Sequence, residues 1–384
     1  MDFLFFIHIV AMLFSFFVAG ALLGAIFSES IRERLVEILH LQRFLLSKSI
    51  HNPILKPGTH PWTAEAVLNP AATVIGGRTH LLYRAIGMDG VSRLGYASSA
   101  DGIVFDELLP YPIYAARNPG GTLPGSRRRY SPVMYPSGGS WGGCEDPRMV
   151  LIDGQVYVTF NMFENWALRI GMISMSEDDF LAKRFDKWGG PIILSHGGRE
   201  KNWMLFPEKI NGKFAVLHGI IDNDVNRVRI EYTDDLETFS QEKFETIDPQ
   251  KVPDSQIAWH THVRSAGPPP IRTDRGWLVL YHAHEAKEPS RYKLGAMLLD
   301  LDDPTKILHR AIAPILSPDE QYENDGKPGI VYACGAVVRD GKLFVYYGGA
   351  DKVICVATAP LRDFLNALVE GNRISLTSMP AQIK

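Results

Sequence analysis

EDPRMVLIDGQVYVTFNM, residues 145–162, sets an Asp-Gly pair between two runs rich in apolar and β-branched residues. Such a pair is the strongest short hairpin signal, because both turn residues must take positive φ. The unit recurs: INGKFA (210–215), TDRGWL (273–278) and RDGKLF (339–344) occupy the place of IDGQVY (152–157). Each is followed by one more strand: LRIGMISMSEDDF (168–180), RVRIEYTDDLETF (227–239), YKLGAMLLDLDDPTKIL (292–308) and KVICVATAPLRDF (352–364). GGRTHLLYRA (76–85) with SRLGYASSADGIVF (92–105) makes a fifth copy. A unit of about four strands repeating every ~50–70 residues cannot bury both faces alone, so neighbours must pack beside it. The expected fold is all-β, a five-bladed β-propeller over residues 50–384.

In such a ring the residues at the start of each blade's first strand converge on the axis. EDPR (145–148), FPEK (206–209), AGPPP (266–270) and ACGAV (333–337) share that phase. Gly142 and Gly143 let the chain turn, and Pro147 removes a donor, so Glu145, Asp146 and Arg148 enter a strand and not a helix. The repeat therefore delivers Asp146 to the centre, with Glu145 beside it and Glu208 of FPEK at the same phase.

Net charge is −3, from 40 basic and 43 acidic residues, which excludes a general polyanion-binding character and makes nucleic acid no expected partner. Hydrophobic content of 46% fills a sizeable core. Three cysteines, Cys144, Cys334 and Cys355, form no disulfide framework and read as buried thiols of a reducing compartment. Phe3 to Ser28 carries no charged residue, so residues 1–28 are expected to form a transmembrane anchor. Arg32, Arg34, Arg43 and Lys48 follow it and put the remainder on the cytoplasmic side. A cleaved signal peptide is the competing reading, against which Asp2 and the lack of an early Lys or Arg count. Residues 29–49, containing IRERLVEILHLQRFL (31–45), are expected to be an amphipathic linker helix.

Other motifs carry less. His260, His262, His282 and His284 make two His-x-His pairs, but no further ligand accompanies them, so no metal is expected. Gly138-Gly139-Ser140-Trp141-Gly142 matches G-x-S-x-G yet has loop on both sides. Arg127, Arg128 and Arg129 read as solvated surface. Among Trp141, Trp166, Trp203 and Trp259, Trp203 is the leading candidate sugar platform.

NPILKPGTHPWTAEAVLNPAA (52–72), YRAIG (83–87), SRLGYASSADG (92–102), EDPR, LFPEKINGKF (205–214), AGPPPI (266–271), GWLVLYH (276–282), YKLGAMLLDLDDP (292–304), ACGAVV (333–338) and YYGGAD (346–351) resemble, in order, the blocks of glycoside hydrolase family 130. The resemblance runs from about residue 50 to the end and implies a five-bladed propeller that cleaves β-mannosides with inversion, by phosphate, giving α-mannose 1-phosphate. It implies Asp146 as proton donor, acting through the sugar's 3-hydroxyl. Arg148, Lys201, His282 and Tyr292 would lie near phosphate or the reacting sugar, and Asn69, Arg84, Arg93 and Asp351 would hold the ring. No cofactor is implied beyond inorganic phosphate as co-substrate. Glu200-Lys201-Asn202 stands where Asn-Lys-Asp is usual, and Gly219 where an Arg is common. Glu200 is thus a candidate base should water replace phosphate, making hydrolysis the alternative; a non-catalytic sugar-binding propeller is the alternative of another class. Phosphorolysis needs one acid and a cationic cradle, since phosphate arrives as the nucleophile. Linkage, acceptor and homo-oligomerisation stay open.

Overall fold

Asp153-Gly154, Asn211-Gly212 and Asp340-Gly341 all have positive φ, between 50° and 79°, as two-residue hairpin turns of the primed type require. They join the first and second strands of three blades. The computed structural model describes residues 46–116, 128–164, 167–195, 200–222, 225–239, 244–247, 259 and 262–377. Contacts divide the chain into Met1–Phe44 and Leu45–Lys384, and every described residue falls in the second unit.

Those residues form five antiparallel blades. The first holds β2 (Ala66–Ile75), β3 (Arg78–Ile86), β4 (Val91–Ser99) and β5 (Phe105–Leu108). The second holds β6 (Gly142–Ile152), β7 (Gln155–Glu164), β8 (Ala167–Ser176) and β9 (Gly189–Ile193). The third holds β10 (Glu200–Leu205), β11 (Phe214–Asp222), β12 (Val225–Thr233) and β13 (Phe244–Ile247). In the fourth, β14 (His262–Ala266) and β15 (Ile271–Thr273) both pair with β16 (Gly276–His284), followed by β17 (Lys293–Leu299) and β18 (Ile307–Arg310). The prolines at 268–270, which have no N–H to give a ladder, fall in the gap between β14 and β15. The fifth holds β19 (Val331–Arg339), β20 (Lys342–Gly349), β21 (Val353–Pro360) and, from the other end of the chain, β1 (Ser47–Lys48).

The first strands touch in a closed series: β2 with β6, β6 with β10, β10 with β14, β15 with β19, and β19 with β2. Apolar side chains fill the space between blades. Val150, Ile152, Ile170 and Met172 of the second blade meet Trp203, Leu205 and Val216 of the third. Val67, Leu81 and Tyr83 of the first meet Phe344, Tyr346 and Ile354 of the fifth. The first two blades are also bridged by a short parallel pairing, Val91 with Gly142 and Ser92 with Gly143. A Cβ at Gly143 would lie 2.1 Å from the Ser92 carbonyl oxygen, so this approach, which sets the start of EDPR, requires glycine.

The amino-terminal expectations need correction. Among the described residues no helix is long and apolar enough to cross a membrane. The anchor placed at 1–28, with the membrane-bound, cytoplasm-facing location built on it, has no counterpart there, and residues 1–45 lie outside the described residues. The end of the expected linker helix is instead strand: Ser47 pairs with Thr358 and Lys48 with Ala357, so the fifth blade begins before residue 50. A carboxy-terminal helix, Leu361–Thr377, follows β21 and buries Phe364, Leu365 and Leu368; the repeat pattern did not anticipate it.

Candidate active site

Each first strand carries one extra residue relative to its partner. The slips fall between Leu68 and Ala71, Glu145 and Arg148, Lys201 and Met204, Val263 and Ser265, and Ala333 and Gly335. A bulge re-aims the inserted side chain. In the first three blades it also takes a left-handed backbone, at Asn69 (φ 47°), Asp146 (φ 50°) and Asn202 (φ 65°). Asn and Asp tolerate that region better than other side chains. Three blades thereby present their bulge residues to one another.

Asn69 Nδ2 donates to Asp146 Oδ1 at 2.7 Å, Arg84 Nη1 reaches the same oxygen at 3.3 Å, and Asn161 Nδ2 lies 3.5 Å from Oδ2. Asn161 in turn donates to Asn202 Oδ1 at 3.2 Å and accepts from the Asn202 N–H at 2.8 Å. Arg84 is buried; its Nη2 donates to Glu145 Oε1 at 2.9 Å and to the Ser137 carbonyl at 2.8 Å. Ser137 Oγ donates to Glu145 Oε2 at 2.7 Å, and Lys201 Nζ lies 3.8 Å from that oxygen. Burial pushes the Asp146 carboxyl up, but Arg84, Arg148, Asn69 and Lys201 outweigh it and hold the group below its ordinary range. Asp351, left-handed at φ 53° and 3.5 Å from Lys327, goes the other way: burial raises it despite Lys327 and Arg84. Glu145, Asp146 and Asp351 thus meet Arg84, Arg148, Lys201 and Lys327, four cations against three carboxylates. That excess of one positive charge favours an anionic guest.

Arg148 supplies the cation best placed for one. Its Nε donates to the Gly267 carbonyl at 3.1 Å and its Nη1 to the Asp146 carbonyl at 2.8 Å, while Nη2 is buried without a well-formed hydrogen bond, the Tyr332 hydroxyl being the other polar group at the guanidinium. A buried guanidinium with an idle donor is costly unless a guest completes it. Asn69 Oδ1 is likewise a buried acceptor without a partner. His282 is buried next to this group but has no free nitrogen: the Ala333 N–H donates to Nε2 at 2.9 Å and Nδ1 lies 3.2 Å from Ser265 Oγ. An accepting Nε2 puts the neutral ring's proton on Nδ1. Burial and the nearby Arg148 push the His282 pKa down to about 3. Its ring stacks on Tyr332, centroids 4.0 Å apart, so it acts as a brace for that phenol and not as a direct anion ligand.

The remaining sequence candidates are scattered. Trp203 is buried between the second and third blades, 5.4 Å from Phe239, and offers no sugar platform in this arrangement. Glu208 is half exposed and paired to Arg272 at 2.9 Å; Arg93 is paired to Asp89 at 2.6 Å. Tyr292 stacks on His284, 5.9 Å away, with the Arg264 guanidinium 5.6 Å above its ring. Glu200 opens β10, but its side chain lies outside the described residues. Among the described residues no cluster of three His, Cys, Asp or Glu could hold a metal ion. Residues that sequence reasoning missed are Asn161, opposite Glu145 in the ladder, Asn202, Ser137, Tyr332 and Lys327. Only Asn202 carried a signal, its place in the third blade matching that of Asp146.

The profile of the family described as beta-1,4-mannooligosaccharide phosphorylase, glycoside hydrolase family 130, matches residues 126–370. The chain is 34% identical over 334 residues to the 1,2-beta-oligomannan phosphorylase of Thermoanaerobacter sp. (strain X514), covering 83% of this chain and 98% of that one. It is 33% identical over 333 residues to the beta-1,2-mannobiose phosphorylase of the same organism, covering 82% and 97%. The chain belongs to glycoside hydrolase family 130. Its fold matches the Listeria innocua beta-1,2-mannobiose phosphorylase solved with beta-1,2-mannobiose, TM-score 0.65 at 23% identity over 84% of this chain and 99% of that one. At the axis of this family 130 chain, Asp146 is ringed by donors and cations that hold its carboxyl below the ordinary range.

Proposed function

We propose that this family 130 chain cleaves β-1,2-mannosides by inverting phosphorolysis, with Asp146 as proton donor and Arg148 and Lys201 as the phosphate-holding cations. A phosphate oxygen forms the new bond to the anomeric carbon from the face opposite the leaving oxygen. The glycosidic bond breaks, and the proton of Asp146 reaches that oxygen through the sugar's 3-hydroxyl. The products are α-mannose 1-phosphate and the shortened sugar. The observation that carries this reading is the buried Nη2 of Arg148, a guanidinium donor without a well-formed hydrogen bond whose Nη1 holds the Asp146 carbonyl. The β-1,2 linkage is chosen because the relatives at 34% and 33% identity are both named for it.

The test is product analysis with β-1,2- and β-1,4-mannobiose, with and without inorganic phosphate. Mannose 1-phosphate is expected only with phosphate, and Asp146→Asn is expected to lower kcat by roughly 10²–10⁴-fold while sugar still binds. Free mannose released equally without phosphate would show hydrolysis instead. Unchanged sugar binding with no turnover in the unmodified protein would leave a binding module.

A further inference from the structure

A cleft of about 230 Å³ lies outside the axial cluster, between the chain leading into β2 and the end of β5. Trp62, Tyr83 and Leu108 form apolar walls, and Lys56, Thr59 and His60 form a polar edge. Pockets for drug-sized ligands run to roughly 300–1,000 Å³, so this one takes about a single ring. Its walls are set in advance. Trp62 Nε1 donates to the Pro110 carbonyl at 3.0 Å, and the Thr63 N–H to that of His60 at 2.9 Å, so a guest orders little on binding. Apolar surface is left uncovered around it: Leu108 is 49% exposed, Tyr111 51%, and Met88, whose N–H donates to the Pro61 carbonyl, 58%.

We propose that this cleft binds one hexopyranose unit of the same oligosaccharide that is cleaved at the axis, making it a distal subsite; this rests on the mannoside reading above. A pyranose has an apolar CH face for the Trp62 wall and hydroxyls for Lys56, Thr59 and His60, whereas a lipid or a purely apolar guest would leave those three unused. Position agrees. Val67, in the cleft wall, is two residues before Asn69 on β2, and Tyr83 is next to Arg84 on β3. At ~3.3 Å per residue Val67, at the back of the cleft, and Asn69 are about 7 Å apart along the strand. Neighbouring residues of a strand point to opposite faces, so Arg84 serves the axis while Tyr83 lies on the side of the cleft, and a sugar that reaches both runs over the end of the strand and not through the sheet.

The test is the ratio of KM for the disaccharide to KM for the tetrasaccharide, in whichever linkage series is turned over. Thr59→Trp fills the cleft from its exposed edge without removing packing, and Trp62→Ala removes a wall. A lower KM for the tetrasaccharide is expected in the unmodified protein, and Thr59→Trp is expected to cut the ratio about tenfold, the equivalent of ~1.4 kcal/mol. The same ratio in Thr59→Trp and the unmodified protein, or no dependence on length at all, overturns the subsite. If no mannoside is turned over, saturation-transfer NMR with mannotetraose decides. Sugar signals lost on Thr59→Trp support the cleft as a sugar site, and equal or absent signals overturn it. A change in oligomeric state with an unchanged ratio assigns the cleft to a second copy of the chain, and also overturns it.

Discussion

Asp146 donates a proton in the proposed reaction, yet its surroundings favour the ionised form, because Arg84, Arg148, Asn69 and Lys201 outweigh the effect of burial. Phosphate placed on Arg148 and Lys201 would spend their charge on itself. The balance then tips toward burial, and the carboxyl pKa rises. Phosphate binding should therefore take up a proton at Asp146 at any pH between its free and bound values. Calorimetry of phosphate binding in two buffers of different ionisation heat measures that uptake, and Asp146→Asn separates it from phosphate's own titration. A smaller uptake in Asp146→Asn is expected; equal uptake in both would show that the acid is not armed in this way. At this scale the place of Asp146 and Arg148 near the axis was legible from the phase of EDPR, whereas Arg84, Asn69 and Lys201 were named only through the family resemblance. Trp203 was misplaced for a physical reason: it follows Asn202, which the bulge turns toward the axis, and so faces the core between blades. Ser137 was illegible, since it arrives on a segment without strand periodicity.

That segment roofs the cluster. Ser131 N–H donates to the Gly139 carbonyl, Tyr135 N–H to that of Ser131, and Gly139 N–H to that of Tyr135, each at 2.9 Å. Ser137 then bonds both Arg84 and Glu145. Lys327, from the connection between the fourth and fifth blades, donates to the Pro136 carbonyl at 3.1 Å and pairs with Asp351. The space left beside Asp351 is about 10 Å³, room for roughly one water molecule. A guest larger than water enters that space only if residues 131–139 move. Lys327→Met should loosen them, seen as amide exchange at Ser131, Tyr135 and Gly139 faster by about tenfold, or ~1.4 kcal/mol of local stability. Lys327→Arg should restore slow exchange. Unchanged exchange in Lys327→Met would show that Ser137 alone holds the roof. Elements were the most legible level, because the Asp-Gly and Asn-Gly turns and the period of two mark hairpins directly, while roof and bulges depend on partners distant in sequence.

For the whole molecule the open question is how a ring made of local hairpins is closed. Charge-free length at 3–28 suggested an anchor, since hydropathy reports what a segment can do in lipid and nothing about strand pairing at 47–48. Closure comes from that short strand. Lys48 Nζ donates to Glu323 Oε2 at 2.6 Å and to the Ser317 carbonyl at 2.8 Å. Glu323 is fully buried and also accepts from Tyr347 Oη and the Glu320 N–H, each at 2.8 Å. Removing one partner of a buried pair costs ~3–5 kcal/mol because the other charge is left uncompensated. Lys48 keeps some solvent contact, so Lys48→Met should fall toward the low end of that range. At ~2 °C per kcal/mol for a large domain, the Tm should drop by about 5 °C. Pairing it with Glu323→Gln removes the stranded charge and should recover most of the loss, a non-additivity that a double-mutant cycle reads directly. If Lys48→Met melts within about 1 °C of the unmodified protein, the ring is closed by backbone pairing and core packing, and the buried pair only sets the register of β1.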